Sequence, residues 1–437
     1  MSVRRLVRTW ETFWFTPVSP VPVALYRILL GLVVLHYAWR LTPECLLWLG
    51  HSGLLSLETV RAASSPYTMH IIGGWLPATD ASVLTLFTLF LASAVTMTLG
   101  LYTRASAGLV YLSLLAFQNR NPHIISSADQ LMRLCVLWVV FSESGAAMSL
   151  DRLRRIARGR ESGPPAPRSP LGQRLVQCQL AVVYFSTVFW KLFKSSEAWL
   201  DGTALYYAVR LERLQRFSLP SFLDQMWFYQ LMSVGTLVIE SALWSFIWLP
   251  RYRYPVLLSG VALHLGIEYL MNIPLFSTAI LTMYVTFISP AHLTRLMKAV
   301  RRLIARVAGA AVPVWYDGDC ELCLRCARII RALDLFGRIR VVNFRQPGTR
   351  ARWQGVDHQR AEGELLVRTT RGRWYGGFLA FRWMAWRLPL GWGIAPWLYV
   401  PGIAWLGQRV YAWAARHHDL FFGKTCEAGA CRVHAET

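Results

Sequence analysis

Long apolar runs, separated by short polar segments rich in arginine, fill the first 290 residues of this 437-residue chain. They fall near residues 21–41, 82–102, 105–118, 129–149, 173–193, 227–249, 255–272 and 274–290. Several reach the roughly 20 residues with which a helix crosses a bilayer, while the third and the last are short. The pattern predicts a polytopic α-helical membrane bundle of about eight spans. The first run begins after Pro20 and has no small-residue cleavage pattern, so it reads as a retained span rather than a signal peptide.

The periodicity changes at Ala311. AVPVWYDG alternates as a strand does and ends in a glycine turn, and CELCLRCARIIRALD then takes helical spacing. RIRVVNF reads as a second strand, ELLVRTT and RWYGGF as a strand pair, and LAFRWMAWRL as a helix. That order predicts a small thioredoxin-like α/β domain behind the bundle. Prolines and glycines interrupt the apolar run Leu388 to Ala415, which therefore reads as packed or interfacial helices rather than another span. The expected division is a transmembrane domain over 10–292, a basic linker over 293–311, the α/β domain over 312–425 and a cysteine-containing tail over 426–437. A basic, proline-rich stretch, Ala157 to Pro170, is expected to link two halves of the bundle.

Composition supports the same class. Hydrophobic residues make up 54% of the chain, too many for an ordinary soluble protein, and 20 tryptophans suit the headgroup level of a membrane. A net charge of +22 would suit nucleic acid or anionic lipid. Its distribution decides for lipid, with no nucleic-acid partner, because the arginines cluster between apolar runs. The clusters are Arg4, Arg5 and Arg8; Arg152, Arg154, Arg155, Arg158 and Arg160; Arg251 and Arg253; and Arg295, Lys298, Arg301 and Arg302. With eight spans and a cytoplasmic N-terminus every cluster falls inside, as the positive-inside rule asks. The expected location is a membrane of the bacterial inner-membrane type, with the N-terminus and the α/β domain in the cytoplasm.

On that topology three ionisable residues from different segments gather in the outer half: His123 after the third run, Lys191 near the end of the fifth and His264 within the seventh. Glu240 lies inside the sixth run, and Glu268 one turn beyond His264. Ionisable groups in a bilayer cost about 2.5–3.5 kcal/mol each on insertion scales, so they face a cavity, a partner or a pathway. Plainer roles are open for each one singly. Lys191 could snorkel to the headgroups, His264 could be a hydrogen-bonded packing residue, and Glu240 could pair with an arginine of a neighbouring helix.

The segments around them resemble a known family. YFSTVFWKLFKSSEAWLDGTALYY is similar to the segment of vitamin K-dependent gamma-carboxylases, and of the wider HTTM family, around the lysine assigned as base; Lys191 stands at that position, with Tyr184 before it and Trp199 and Gly202 after. HLGIEYLMNIPLFS resembles another segment of the family at His264, Met271, Asn272, Leu275, Phe276 and Ser277, and NRNPHI resembles a third at His123. The resemblance implies a reduced quinone of the menaquinone or vitamin K type that Lys191 deprotonates. Oxygen then gives a strongly basic intermediate that removes a carbon-bound proton from glutamate, and carbon dioxide traps the carbanion. His264 and His123 would donate hydrogen bonds to developing oxyanions, and Tyr184, Trp199, Asn272 and Glu240 would line the quinone site. The carboxylases also carry a large extramembrane region that binds a propeptide. Here only the short loops 42–80 and 194–226 stand on that side, which favours quinone binding or quinol oxidation over carboxylation of a protein substrate.

In the α/β domain, Asp319 is placed as helix N-cap, which sets Cys320 in the first turn; the helix N-terminus lowers a thiol pKa, and Cys323 can close a disulfide. Asp317 and Asp319 oppose that lowering. A structural cysteine pair, or a zinc site joined by Cys326, Cys426 and Cys431, is the competing reading; Cys45, Cys135 and Cys178 read as core fillers. YDGDCELC, with the ending HHDLFFGK, resembles the DCC family (DUF393) of thiol-disulfide oxidoreductases at Asp317, Gly318, Asp319, Cys320 and Cys323. No proline stands just before ELLVRTT, where thioredoxins place a cis-proline. The combined expectation is a membrane redox protein, quinone-handling and coupled to a Cys-x-x-C module, in contact with lipid and quinone. The alternatives are a non-enzymatic partner for the binding, export or maturation of a secreted peptide, and a membrane-anchored thiol reductase.

Overall fold

The computed structural model describes residues 3–194, 196–349, 360, 361 and 364–417. Two compact units result: residues 1–151 with 165–290, and residues 152–164 with 291–437. The linear reading placed 152–164 in the bundle. The structure groups it with the second unit, where Arg325 Nη1 donates to Ala157 O at 3.3 Å.

Every apolar run of the first unit forms a helix. An amphipathic helix α1 (Val3–Phe15) precedes α2 (Val21–Leu41), α3 (Asp80–Leu99), α4 (Thr103–Arg120), α5 (Ser127–Val140), α6 (Leu171–Phe193), α7 (Met226–Ser245), α8 (Arg253–Leu270) and α9 (Phe276–Tyr284). Four stretches, Val21–Leu49, Asp80–Leu99, Leu171–Phe193 and Met226–Trp248, are long and apolar enough to cross a membrane. A fifth is added if Phe276–Phe287 and the helix that follows it count as one bent span. That is fewer than the eight expected, and the reason is local. α5 has only 14 residues, α4 ends in Gln118, Asn119 and Arg120, and α8 carries Arg253, His264 and Glu268. Apolar runs with polar ends or polar interiors are helical here but fall short of the length and apolarity of a span.

Caps fix the ends. Ser126 and Asp129 form a capping box on α5, and Gly100 closes α3 in the left-handed conformation. Arg27, fully buried in α2, donates to Ser144 O at 2.7 Å and to Met148 O at 2.5 Å, so a charge inside a span satisfies the carbonyls of a turn. Tyr26, Leu30, Phe90, Phe117, Met132 and Leu180 pack at the centre of this unit.

The second unit begins with α10 (Pro290–Ala308), so the basic linker expected over 293–311 is largely helical. β1 (Val312–Tyr316), α11 (Glu321–Leu333), β2 (Ile339–Asn343), β3 (Leu366–Arg368), β4 (Trp374–Gly376) and α12 (Gly377–Ala385) follow in the expected order. The sheet order is β2-β1-β3-β4, with β1 parallel to β2 and antiparallel to β3. This is the thioredoxin-like arrangement. β1 shows why both faces are covered: Val312, Val314 and Tyr316 enter one core with Ala327, Ile330 and Ala380, while Trp315 enters another with Phe344 and Leu366. The run 388–415 yields short turns and α13 (Ile403–Arg416), whose 14 residues fall short of a span.

Candidate functional site

Residues of two kinds are brought together, one set in each unit. In the first, α6 presents Tyr184, Thr187 and Lys191 at i, i+3 and i+7, a single helical stripe. α7 packs along α6 and sets Glu240 opposite Lys191. Lys191 Nζ is 2.6 Å from both carboxylate oxygens, and Thr187 Oγ1 donates to Oε2 at 3.4 Å. The side chains are 18% and 9% exposed, so the pair is largely withdrawn from solvent. Trp199 covers the ammonium from 4.3 Å, a cation–π contact. Glu240 thus takes a lysine as partner and not an arginine.

Two turns back from Lys191 on the stripe, the Tyr184 hydroxyl lies 2.7 Å from His264 Nε2 and 2.6 Å from the Tyr284 hydroxyl, all three groups buried. Gly260, one turn before His264 on α8, makes the room: a Cβ there would overlap the Tyr284 hydroxyl. Two buried polar atoms nearby on the same elements, His264 Nδ1 and Ser277 Oγ, have no hydrogen-bond partner. Such orphaned groups are rare in folded proteins and suit a polar ligand atom. Tyr284 was missed in the sequence. Its only signal is its place seven residues after Ser277 on α9, one helical face.

The other two residues read for this site stand apart from it. His123 is exposed in a 3-10 turn, and only its backbone N–H is engaged, by Asn121 Oδ1 at 3.2 Å. The buried polar group of that loop is Asn121, whose Nδ2 donates to Trp48 O at 3.0 Å. Asn272 is exposed as well, its N–H donating to Leu214 O at 2.6 Å. Glu268 pairs with Arg216 at 2.6 Å.

In the second unit the loop after β1 carries the thiols. Asp317, 1% exposed, accepts Arg345 Nε at 2.5 Å and Nη2 at 3.0 Å, a bidentate pair, and also the Asp319 N–H at 3.0 Å. Arg345 Nε also lies 3.1 Å from Asp319 Oδ2. The expected N-cap is corrected: Cys320, not Asp319, occupies the N-cap position of α11. At the cap, Cys320 lies among the free amides of the first turn.

A hydrogen bond from Cys323 is the main reason the Cys320 thiol falls from 9.0 to about 6. Burial and the charge of Asp317 oppose it, while the N–H groups of Cys323 and Leu322 assist. The Cys323 thiol is raised by that same bond and by burial, and burial pushes Cys326 up to about 11. The pair therefore holds one negative charge, on Cys320. Arg345 keeps the opposing carboxylate paired, a role the sequence did not disclose. Tyr411 of α13 was missed too: it accepts the Leu365 N–H at 3.4 Å, and burial beside Cys323 and Cys326 holds its phenol protonated well above the usual range.

No group of three or more metal-ligating side chains forms among the described residues. Cys426, Cys431 and the ending beyond His417 lie outside them, as do residues 350–359, 362 and 363 before ELLVRTT. These geometries predict a pH profile. Alkylation of Cys320 should rise with pH around a midpoint near 6, not 9, because the thiolate is the nucleophile. The folded reduced state favours the ionised form, so its stability should increase between about pH 6 and 9 and be lost as pH falls through 6. Iodoacetamide kinetics with mass-spectrometric site assignment would measure the midpoint, and a value near 9 would contradict the cap geometry.

Comparisons with known proteins agree with this division. Residues 15–291 match the HTTM domain, more than half of the chain, and residues 314–424 match the DCC1-like thiol-disulfide oxidoreductase domain. No curated protein and no solved structure matches the chain. The bundle with its buried Lys191–Glu240 pair and the thioredoxin-like unit with Cys320 at a helix cap fit those two assignments: the chain belongs to the HTTM family and carries a DCC1-like thiol-disulfide oxidoreductase domain behind its membrane domain.

Proposed function

We propose that this membrane redox protein oxidises a quinol in its bundle, with Lys191 as the base, and that the dithiol of Cys320 and Cys323 returns the oxidised quinone to quinol. The observation that carries the reading is the placement of Lys191 against Glu240, two turns of α6 from the Tyr184, His264 and Tyr284 hydrogen-bonded group. A base needs a free amine, and transfer of the Lys191 proton to Glu240 supplies one without a net charge change in a low-dielectric site. Tyr184 and the orphaned His264 Nδ1 and Ser277 Oγ are the hydrogen-bonding groups available to quinol oxygens. In balance, quinol and oxygen give quinone epoxide and water; the epoxide with the dithiol gives quinone, water and a disulfide; and the quinone with a second equivalent of dithiol gives quinol and a disulfide. The bilayer that supplies the quinone is, on this reading, a bacterial inner membrane with the thiol unit in the cytoplasm.

The test is anaerobic loading of purified protein with a reduced naphthoquinone, addition of oxygen and quantification of epoxide by mass spectrometry. Wild type should form epoxide, and Lys191→Ala should lower the rate by about 100-fold or more, the range for loss of a general base. One observation favours a second reading, in which the bundle binds or matures a secreted peptide. Lys191 and Glu240 neutralise each other, which is also how a structural pair is built. Folded wild type that makes no epoxide, with variants that only lose stability, would select that reading.

A further inference from the structure

The second unit leaves two apolar surfaces uncovered. On α10, Leu296, Val300, Leu303 and Val307 recur at 3–4 residue intervals and are exposed, Val307 by 84%, with Arg295, Lys298, Arg302 and Arg306 interleaved. Along the segment 386–413, Trp392, Ile394, Trp397, Trp405, Leu406 and Val410 are exposed, Trp397 by 71%. α13 is two-faced. Gly407 and Tyr411 pack on Phe378 and Phe381 of α12, while Leu406 and Val410 face away from that contact.

These surfaces are joined. Arg301 of α10 donates to Leu335 O at 2.9 Å and Asp334 O at 3.2 Å, and Phe336 in the same turn packs on Trp392 with ring centroids 6.3 Å apart. Arginines stack on the aromatics throughout: Arg409 over Trp405 at 4.0 Å and Arg382 over Tyr399 at 4.5 Å. An exposed apolar area this large needs a cover, since the exposed patches of soluble monomers rarely exceed a few hundred Å².

We propose that this joined surface seats on the anionic headgroup layer of the bilayer in which the chain's own spans are embedded. Two observations favour lipid over a protein partner. Indole rings with guanidinium groups stacked on them are the chemistry of the headgroup level, apolar on one side and cationic on the other. The cations also complement anionic lipid, each arginine near such a surface strengthening attachment about fivefold. The proposal does not depend on the quinol reading.

The test uses the full chain in lipid nanodiscs, with the photoreactive residue p-benzoylphenylalanine placed singly at Trp397, at Val307 and, as a control, at Arg371 in the exposed turn between β3 and β4. Illumination should give lipid adducts at 397 and 307 in at least tenfold excess over 371. The yield should rise when anionic lipid replaces part of the zwitterionic lipid, and fall back when Arg382→Glu and Arg409→Glu are added. Lipid adducts no more frequent than at 371 would overturn the proposal. So would adducts at 397 and 307 formed with a second copy of the chain or with its own residues. The spans keep every variant in the disc, so the readout reports local seating and not membrane insertion.

Discussion

Cys320→Ser should bring thiol-disulfide exchange down to the uncatalysed background, while Cys323→Ser should leave the first attack fast and trap the mixed disulfide. The asymmetry follows from the cap. The Cys323 thiol and the N-terminus of α11 lower the Cys320 thiol well below its ordinary value, so at neutral pH it is the thiolate of the pair. Cys323 is half-buried and its thiol is raised by the bond it donates to Cys320, so it stays protonated until Cys320 has been consumed. A serine hydroxyl in place of Cys320 is neither ionised nor nucleophilic at neutral pH. Stopped-flow reduction of a small disulfide by the full-length reduced protein measures the first effect, and intact-mass detection of the adduct on Cys323→Ser measures the second. A fast Cys320→Ser enzyme that forms its adduct on Cys323 would reverse the two roles.

Glu240→Leu should destabilise the bundle by about 3 kcal/mol, at the lower end of the range for removing one partner of a buried pair. It strands the Lys191 ammonium, which among the described residues then retains the Trp199 ring. Lys191→Met should cost a similar amount by stranding the carboxylate. The double variant should recover most of the loss, since two apolar side chains of similar volume replace both charges. Thermal unfolding of the detergent-solubilised or disc-embedded protein measures all three. Losses that simply add would mean that the charges do not depend on each other, contrary to the 2.6 Å contacts. The cycle also separates the structural from the chemical role of the pair. A double variant that regains stability but makes no epoxide would assign the lost activity to the missing base.

The sequence determined what local pattern can determine. Apolar runs suffice to place helices, because burial period is a property of neighbouring residues. Alternation in AVPVWYDG, followed by helical spacing from Cys320, was enough for the thioredoxin-like order. Lys191, Tyr184, His264 and Glu240 could be singled out because ionisable and hydroxyl groups are conspicuous in apolar helices. Which of them meet was not legible, since partners 49 and 80 residues apart are set by how α6, α7 and α8 pack. Tertiary structure alone supplied Tyr284 and the space left by Gly260, turned His123 and Asn272 to the surface, and exchanged Asp319 for Cys320 at the helix cap. It also found Arg345, 28 residues from Asp317, whose charge offsets a buried carboxylate beside the thiols. Span number was the weakest local inference, because a run of apolar letters does not record whether its polar ends and interior are satisfied by neighbouring helices. Hydropathy is additive along the chain, whereas hydrogen bonds and ion pairs are made across it, and those contacts decide the site.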